Sequence, residues 1–319
     1  MPSKNSSENS EYSDGKKDEK RFGKDTVISV TGHTSLDYLL TVDRIVEINR
    51  SSPITDCRTY PGGGAANVAA VIAGLGGRAR LVSPVGDDFI SSGYEKQLLD
   101  LGVDLSAMYR IPEEQLSKAF ILTDTENNQS TYFFWGAAGK LAELDPPETP
   151  FVHMATADCV FNAKMAQCAG FVSFDPGQDL VTYTTDALRE ILQNTDILFA
   201  NRHEIELVQK ISGYSFSDLL EMIPIIVVTK DIEGSILYKD GKTIETPCIK
   251  VKTEDPTGAG DAYKAGFLVA YTRGCPLDVC CRVGAVTASF IVEKTGCQTN
   301  LPTWEMMKKR YLENFPEFE

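Results

Sequence analysis

Histidine is scarce in this sequence, with three in 319 residues (His33, His153 and His203), and no two cysteines stand in a CxxC spacing. Little is left from which to assemble a zinc site. Of the eight cysteines, Cys280 and Cys281 are adjacent, while Cys57, Cys159, Cys168, Cys248, Cys275 and Cys297 are scattered among apolar residues. Free structural thiols are therefore expected, not a disulfide framework. Basic residues are also short: 31 Lys and Arg against 45 Asp and Glu leave a formal net charge of −14. That balance argues against a nucleic-acid backbone or an anionic membrane as the main partner. No apolar run is long enough to span a bilayer, and the first residues lack a signal-peptide core, so the cytoplasm is the expected location. Residues 1–24 have almost no aliphatic side chains and carry six basic groups against five acidic ones. Such a stretch buries too little surface to offset its ordering entropy and is expected to be a disordered tail.

What is present is an alternation. Short apolar runs at Thr26–Gly32, Leu81–Gly86, Phe171–Phe174, Ile197–Ala200 and Ile225–Thr229 read as buried strands. Helical patterns separate them at Ala65–Leu75, Phe89–Leu101, Asp186–Gln193, His203–Lys210 and Ser217–Met222, and the last third is helical at Gly258–Arg273, Leu277–Glu293 and Thr303–Glu313. Continuous apolar strands alternating with helices predict an α/β fold, a mostly parallel sheet covered on both faces. Ligands in such sheets lie beyond the carboxyl ends of the strands. Two regions break the pattern, 42–60 and 118–135, which read as strands joined by polar turns. They could form a small lid sheet or extend an edge of the main one.

The motif with most chemical content is Asp255-Pro256-Thr257-Gly258-Ala259-Gly260-Asp261. Its glycines let the backbone approach an anion, and the helix that follows offers unpaired amides at its positive dipole end. A phosphoryl group suits that position. Asp261 then puts a carboxylate beside the anion, where it could take the proton of an attacking alcohol; an acid that merely stabilises the helix start is the bland alternative. Gly62-Gly63-Gly64 precedes a helix carrying Asn67. This is not the GxGxxG of a dinucleotide turn, and it does not follow the first strand, which argues against an NAD-dependent oxidoreductase. Asn67 and Asp37 could each hold a diol, although alone Asp37 reads as a turn or cap residue. Asn201 and Glu204 follow a strand, where Glu204 could hold magnesium-bound water or simply start a helix.

In this order, the GG-x-x-x-N segment at Gly62–Asn67 and the D-x-T-G-A-G-D segment at Asp255–Asp261 resemble the ribokinase/PfkB carbohydrate kinases over residues 26–315. The resemblance implies one ribokinase-like domain over 25–315, a Rossmann-type sheet with a β-sheet lid, and ATP with magnesium as the donor system. It implies Asp261 as base, Gly258, Ala259 and Gly260 as anion hole, and Asp37, Gly63 and Asn67 on the acceptor's hydroxyls. Asn201, Thr229 and Gly260 would lie near the nucleotide, Glu204 near magnesium, and Asp255 and Thr257 near a potassium ion. Lys294, Gly296 and Asn300 occupy comparable places around that ion. Within the family the chain looks most like archaeal nucleoside kinases of broad specificity, through Gly32–Tyr38, Ser83–Gly86 and Tyr132–Ala138. The implied reaction is phosphorylation of a nucleoside 5′-hydroxyl. Lid aromatics (Phe120, Tyr132, Phe134) could stack on a base or pack the lid on itself. A sugar or sugar-phosphate kinase, with Arg44 or Arg58 on a second phosphate, and a non-catalytic nucleotide or sugar sensor are the competing readings. A homodimer through the lid edge is a further expectation.

Overall fold

The computed structural model describes residues 22–126, 128–316 and 318. The tail expected over 1–24 lies outside them as far as residue 21. Its last residues are not tail: the Phe22 ring sits 5.0 Å from that of Phe151 and 5.1 Å from that of Phe171. An aromatic with an apolar slot to fill brings the folded chain forward of Thr26.

The chain begins with β1 (Val27–Thr31), β2 (Ser35–Val42) and β3 (Ile54–Gly62), then α1 (Gly64–Gly74) and β4 (Arg78–Val82). β5 (Pro84–Val85), α2 (Asp88–Ser91), α3 (Tyr94–Asp100) and β6 (Tyr109–Arg110) lead to the hairpin of β7 (Ser117–Thr123) and β8 (Gln129–Phe134). The alternating stretch follows: β9 (Val152–Met154), α4 (Cys159–Cys168), β10 (Val172–Phe174), α5 (Thr185–Gln193), β11 (Ile197–Asn201), α6 (Arg202–Ser212), α7 (Phe216–Met222) and β12 (Ile225–Thr229). A second hairpin, β13 (Ser235–Lys239) and β14 (Lys242–Thr246), precedes α8 (Ala259–Thr272), α9 (Leu277–Ile291) and α10 (Trp304–Asn314).

Eight strands form the main sheet in the order β14-β13-β12-β11-β10-β9-β1-β4, antiparallel only at the β13–β14 end. Successive side chains leave a strand on opposite faces, so each apolar strand feeds two cores. Ile225 and Val227 join the core under α1, α8 and α9, whereas Ile226 and Val228 join the one under α4, α5 and α6. The α8 and α9 helices approach closely: a Cβ added at Gly266 would lie 2.5 Å from Thr287 Oγ1. This contact holds α8, and with it the residues at its start, against the sheet. No helix among the described residues is long and apolar enough to cross a membrane.

The lid is a separate four-stranded sheet, β3-β2-β7-β8. Its first segment is displaced from the 42–60 expected. The strands are Ser35–Val42 and Ile54–Gly62, and 43–53 has no strand. The displacement has a physical cause: β2 follows β1 after only three residues, and its polar start, Ser35 and Asp37, reads as a turn rather than a strand. The helix expected over Phe89–Leu101 is two short ones interrupted at Ser92 and Gly93.

Candidate active site

The carboxyl edge of the main sheet and the lid strand above it together supply the candidate functional side chains. The loop after β14 ends at Gly258, which caps α8 at a φ of 81°. A Cβ there would lie 2.8 Å from Cys297 Sγ, so both conformation and space call for glycine. The first amides of α8 have no carbonyl four residues back within the helix; that of Ala259 donates to Pro256 O at 3.2 Å, while Gly260 is exposed.

Asp261 lies on that first turn. Its Oδ2 accepts a hydrogen bond of 3.0 Å from Asn67 Nδ2, and its Oδ1 is 3.8 Å from Lys264 Nζ. Burial raises its pKa above the ordinary carboxylate range, while the Lys264 charge and the Asn67 amide pull it back. Lys264 is itself buried in an ion pair with Asp175, which follows β10. Burial alone would lower the ammonium's pKa; the carboxylates of Asp175, Asp261 and Glu204 override it and hold the charge well above its usual value. Neither Lys264 nor Asp175 is legible as a site residue from sequence. The available signal was spacing, since Lys264 is three residues from Asp261 on one helix face.

Asn201 and Glu204 form a capping box at the start of α6. Asn201 Oδ1 accepts from the His203 and Glu204 amides at 2.9 Å each, and Glu204 Oε2 accepts from the Asn201 amide at 2.8 Å. Thr229 is the cross-strand partner of Asn201, so all three stand together at the ends of β11 and β12. Burial, then the Asp175 charge, raises the Glu204 pKa. Asp175 Oδ1 in the same cluster is buried without a protein partner. An orphaned carboxylate oxygen beside Glu204 fits water bound to magnesium. No group of three or more His, Cys, Asp or Glu side chains placed to hold a metal ion occurs among the described residues.

Asp37 lies on β2 and so belongs to the lid, not to a turn after the first strand. Ser35 Oγ donates to its Oδ1 at 2.8 Å. Gly62 leaves room for its carboxylate, which a Cβ there would strike. Gly63 (φ 94°) lets the chain pass the His33–Ser35 backbone, where a Cβ would come within 2.5 Å of His33 O. The expected Gly63 therefore shapes the site, and Gly62, not singled out from sequence, is the glycine against Asp37. Burial raises the Asp37 pKa to about 6, with the Asp261 and Asp255 charges adding to it.

A pH-dependent result follows from that value. A carboxyl whose folded pKa exceeds its unfolded one favours the fold below the unfolded pKa and loses that contribution as pH rises through the folded pKa. Asp37→Asn removes the loss. Thermal unfolding should find the variant equal to wild type near pH 4 and more stable by on the order of 2–3 kcal/mol at pH 8. A stability difference that does not grow with pH would refute the assignment.

Asp255 joins two loops: Oδ1 accepts from the Thr257 amide at 2.9 Å and Oδ2 from the Gly296 amide at 3.3 Å. The lid aromatics are arranged otherwise than expected. Residues directly opposite in a sheet share a face; Asp37 is opposite Tyr60 and Ala119, and Ala119 is opposite Phe133. Tyr38, Phe120 and Tyr132 lie on the other face, where the Tyr38 and Phe120 rings stack at 5.1 Å, and Phe134 shares it. Phe133 and Tyr60 are thus the aromatics beside Asp37. Phe133 also touches the His33 ring at 5.3 Å, and His33 Nε2 pairs with Asp179 Oδ2 at 2.6 Å.

With this geometry, residues 25–304 match the pfkB family carbohydrate kinase model. The chain is 48% identical to a nucleoside kinase of Methanocaldococcus jannaschii over 90% of its own length and 97% of that protein's. Identity to a nucleoside kinase of Methanothermobacter thermautotrophicus is 41%, covering 90% and 96%. The crystal structure of the Methanocaldococcus jannaschii nucleoside kinase superimposes with a TM-score of 0.88 at 47% identity, covering 92% of this chain and all of that one.

Proposed function

The chain belongs to the pfkB family of carbohydrate kinases, and on that footing we propose that it transfers the γ-phosphoryl group of ATP to the 5′-hydroxyl of a nucleoside. It is a phosphotransferase with an alcohol acceptor. The observation that carries the acceptor reading is the set Asp37, Asn67 and Asp261. Two side chains suited to ribose hydroxyls stand beside a carboxylate able to take a proton, with Phe133 on the same lid face.

In the proposed reaction Asp261 removes the hydroxyl proton and the oxygen bonds to the γ-phosphorus. The bond from that phosphorus to the bridging oxygen breaks, and ADP leaves with the electron pair. Gly258, Ala259 and Gly260 line the proposed anion hole, where the helix terminus meets the negative charge of the transferring group. Asn201, Thr229 and Glu204 face the nucleotide side. Magnesium would supply charge neutralisation on the β- and γ-phosphates, through water on Glu204 and Asp175. A potassium ion is proposed where Asp255 and Thr257 meet the 292–300 loop. Action in the cytoplasm, and a homodimer through the lid edge at β8 with its exposed Tyr132 and Phe134, complete the reading.

A sugar-phosphate acceptor would need a cation near Asp37. Arg58 instead pairs with Asp56 at 2.8 Å with 60% of its side chain exposed, and the charges felt by Asp37 are carboxylates. A sensor would have no use for a base beside a helix terminus. An ADP-release assay over adenosine, guanosine, inosine, cytidine, ribose, fructose and fructose phosphates decides among these. At least one nucleoside should exceed every sugar in kcat/KM by about tenfold or more; turnover of sugars alone refutes the nucleoside reading.

A further inference from the structure

Behind Asn67 lies a buried chain of side-chain amides. Asn67 is 4% exposed, Gln298 8% and Tyr94 1%. Gln298 Nε2 donates to Asn67 Oδ1 at 2.9 Å and to Tyr94 OH at 2.6 Å. Tyr94 OH has its proton committed to Gly62 O at 2.9 Å, so toward Gln298 it can only accept. On the far side Gln97 Nε2 donates to Gln298 Oε1 at 3.1 Å. Tyr94 determines that the Gln298 nitrogen faces it, Gln97 completes the far end, and that nitrogen determines which end of Asn67 is oxygen. Asn67 must then turn Nδ2 toward the site, where it donates to Asp261 Oδ2 at 3.0 Å.

We propose that Gln298 is a positioning residue for phosphoryl transfer, acting only through Asn67 by holding its amide with the donor end toward Asp261 and the acceptor. The proposal rests on the kinase reading of the site. A reversed Asn67 would present Oδ1 to the Asp261 carboxylate, setting acceptor against acceptor, and would withdraw the donor that a ribose oxygen needs. The groups around Asp261 are Lys264 on its own helix, Asp175 after β10, Glu204 on α6, Asp37 on the lid, and Asp255 and Cys297 in the two loops. Of these, Lys264 is the cation next to Asp261, 3.8 Å from its Oδ1, but it is tied to Asp175 and leaves the Oδ2 side to Asn67. A cavity of about 270 Å³ lined by Tyr60, Pro61, Gln97, Leu101, Gln298 and Thr299 adjoins the chain, so position 298 has space for a substituted side chain.

The test is a double-mutant cycle on the full chain, with steady-state kinetics for the best nucleoside found. Gln298→Met keeps the length and removes both polar ends. It should lower kcat/KM for the nucleoside about tenfold and leave the ATP KM within about twofold. In an Asn67→Ala background the same change should cost less than about twofold, because nothing is left to orient. Equal losses in the two backgrounds overturn the proposal and leave Gln298 a packing residue. If Gln298→Met does not fold, Gln298→Glu is measured at pH 8. Its carboxylate can only accept, so it should draw Asn67 Nδ2 away from Asp261 and lower kcat at least as far; wild-type kcat there also overturns the proposal. Failure of the kinase reading looks different: the wild-type chain would release no ADP with any nucleoside.

Discussion

Asp261→Asn is expected to reduce kcat by on the order of 10²-fold or more, with nucleoside affinity by calorimetry within a few-fold of wild type. The substitution keeps size and polarity, so Asn67 and Lys264 retain a neighbour of the same shape. What is lost is basicity. An alcohol is a poor nucleophile until its proton is removed, and Asp261 is the carboxylate that lies on the first turn of α8 and accepts from Asn67. Burial raises its pKa while Lys264 and Asn67 restrain the rise, so it is a better proton acceptor than an exposed aspartate. Wild-type activity should accordingly fall as pH drops through that raised value. The variant should show a low rate without that acidic limb. Retention of kcat within a few-fold would remove Asp261 as the base.

Much of this arrangement was legible because it is local. The helix start at Gly258–Asp261 carries its glycines, its acid and its position in one short stretch, and the apolar strands Ile197–Asn201 and Ile225–Thr229 appear in the sheet where their composition puts them. What escaped is what the chain brings together from afar. Lys264 and Asp175 are 89 residues apart, and Gln298 and Asn67 are 231 apart; no periodicity pairs such residues. β9, Val152–Met154, escaped where the equally short β10 did not, because the buried His153 interrupts its apolar run. The lid aromatics misled for another reason: in a strand, a one-residue change of parity exchanges the two faces. Composition therefore pointed to an aromatic lid, and only cross-strand register shows that Phe133, rather than Phe120, Tyr132 or Phe134, shares the face of Asp37.

Lys264→Met should have the largest effect on stability, about 3–5 kcal/mol, the range for breaking a buried ion pair from one side. The ammonium lies among Asp175, Asp261 and Glu204; without it three carboxylates share a recess with no cation. The folded pKa values of Asp261 and Glu204, already raised by burial, then rise further by mutual repulsion. Groups with raised folded pKa values lose stability as pH increases, so the deficit relative to wild type should be small near pH 4 and should widen toward pH 8. The titration of Lys264 itself adds no slope in that window. Its folded pKa is above the unfolded one, so its contribution is fully present below the unfolded value and is lost only in strongly alkaline solution. The kinetic signature has the same origin. With its cation gone, Asp261 should protonate at higher pH, moving the acidic limb of kcat/KM upward. Adding Asp175→Asn removes one of the repelling charges, so the double variant should recover part of the stability at pH 8. Thermal unfolding across pH 4–8 decides the matter: a deficit independent of pH would mean that Lys264 packs against this cluster without governing its charge.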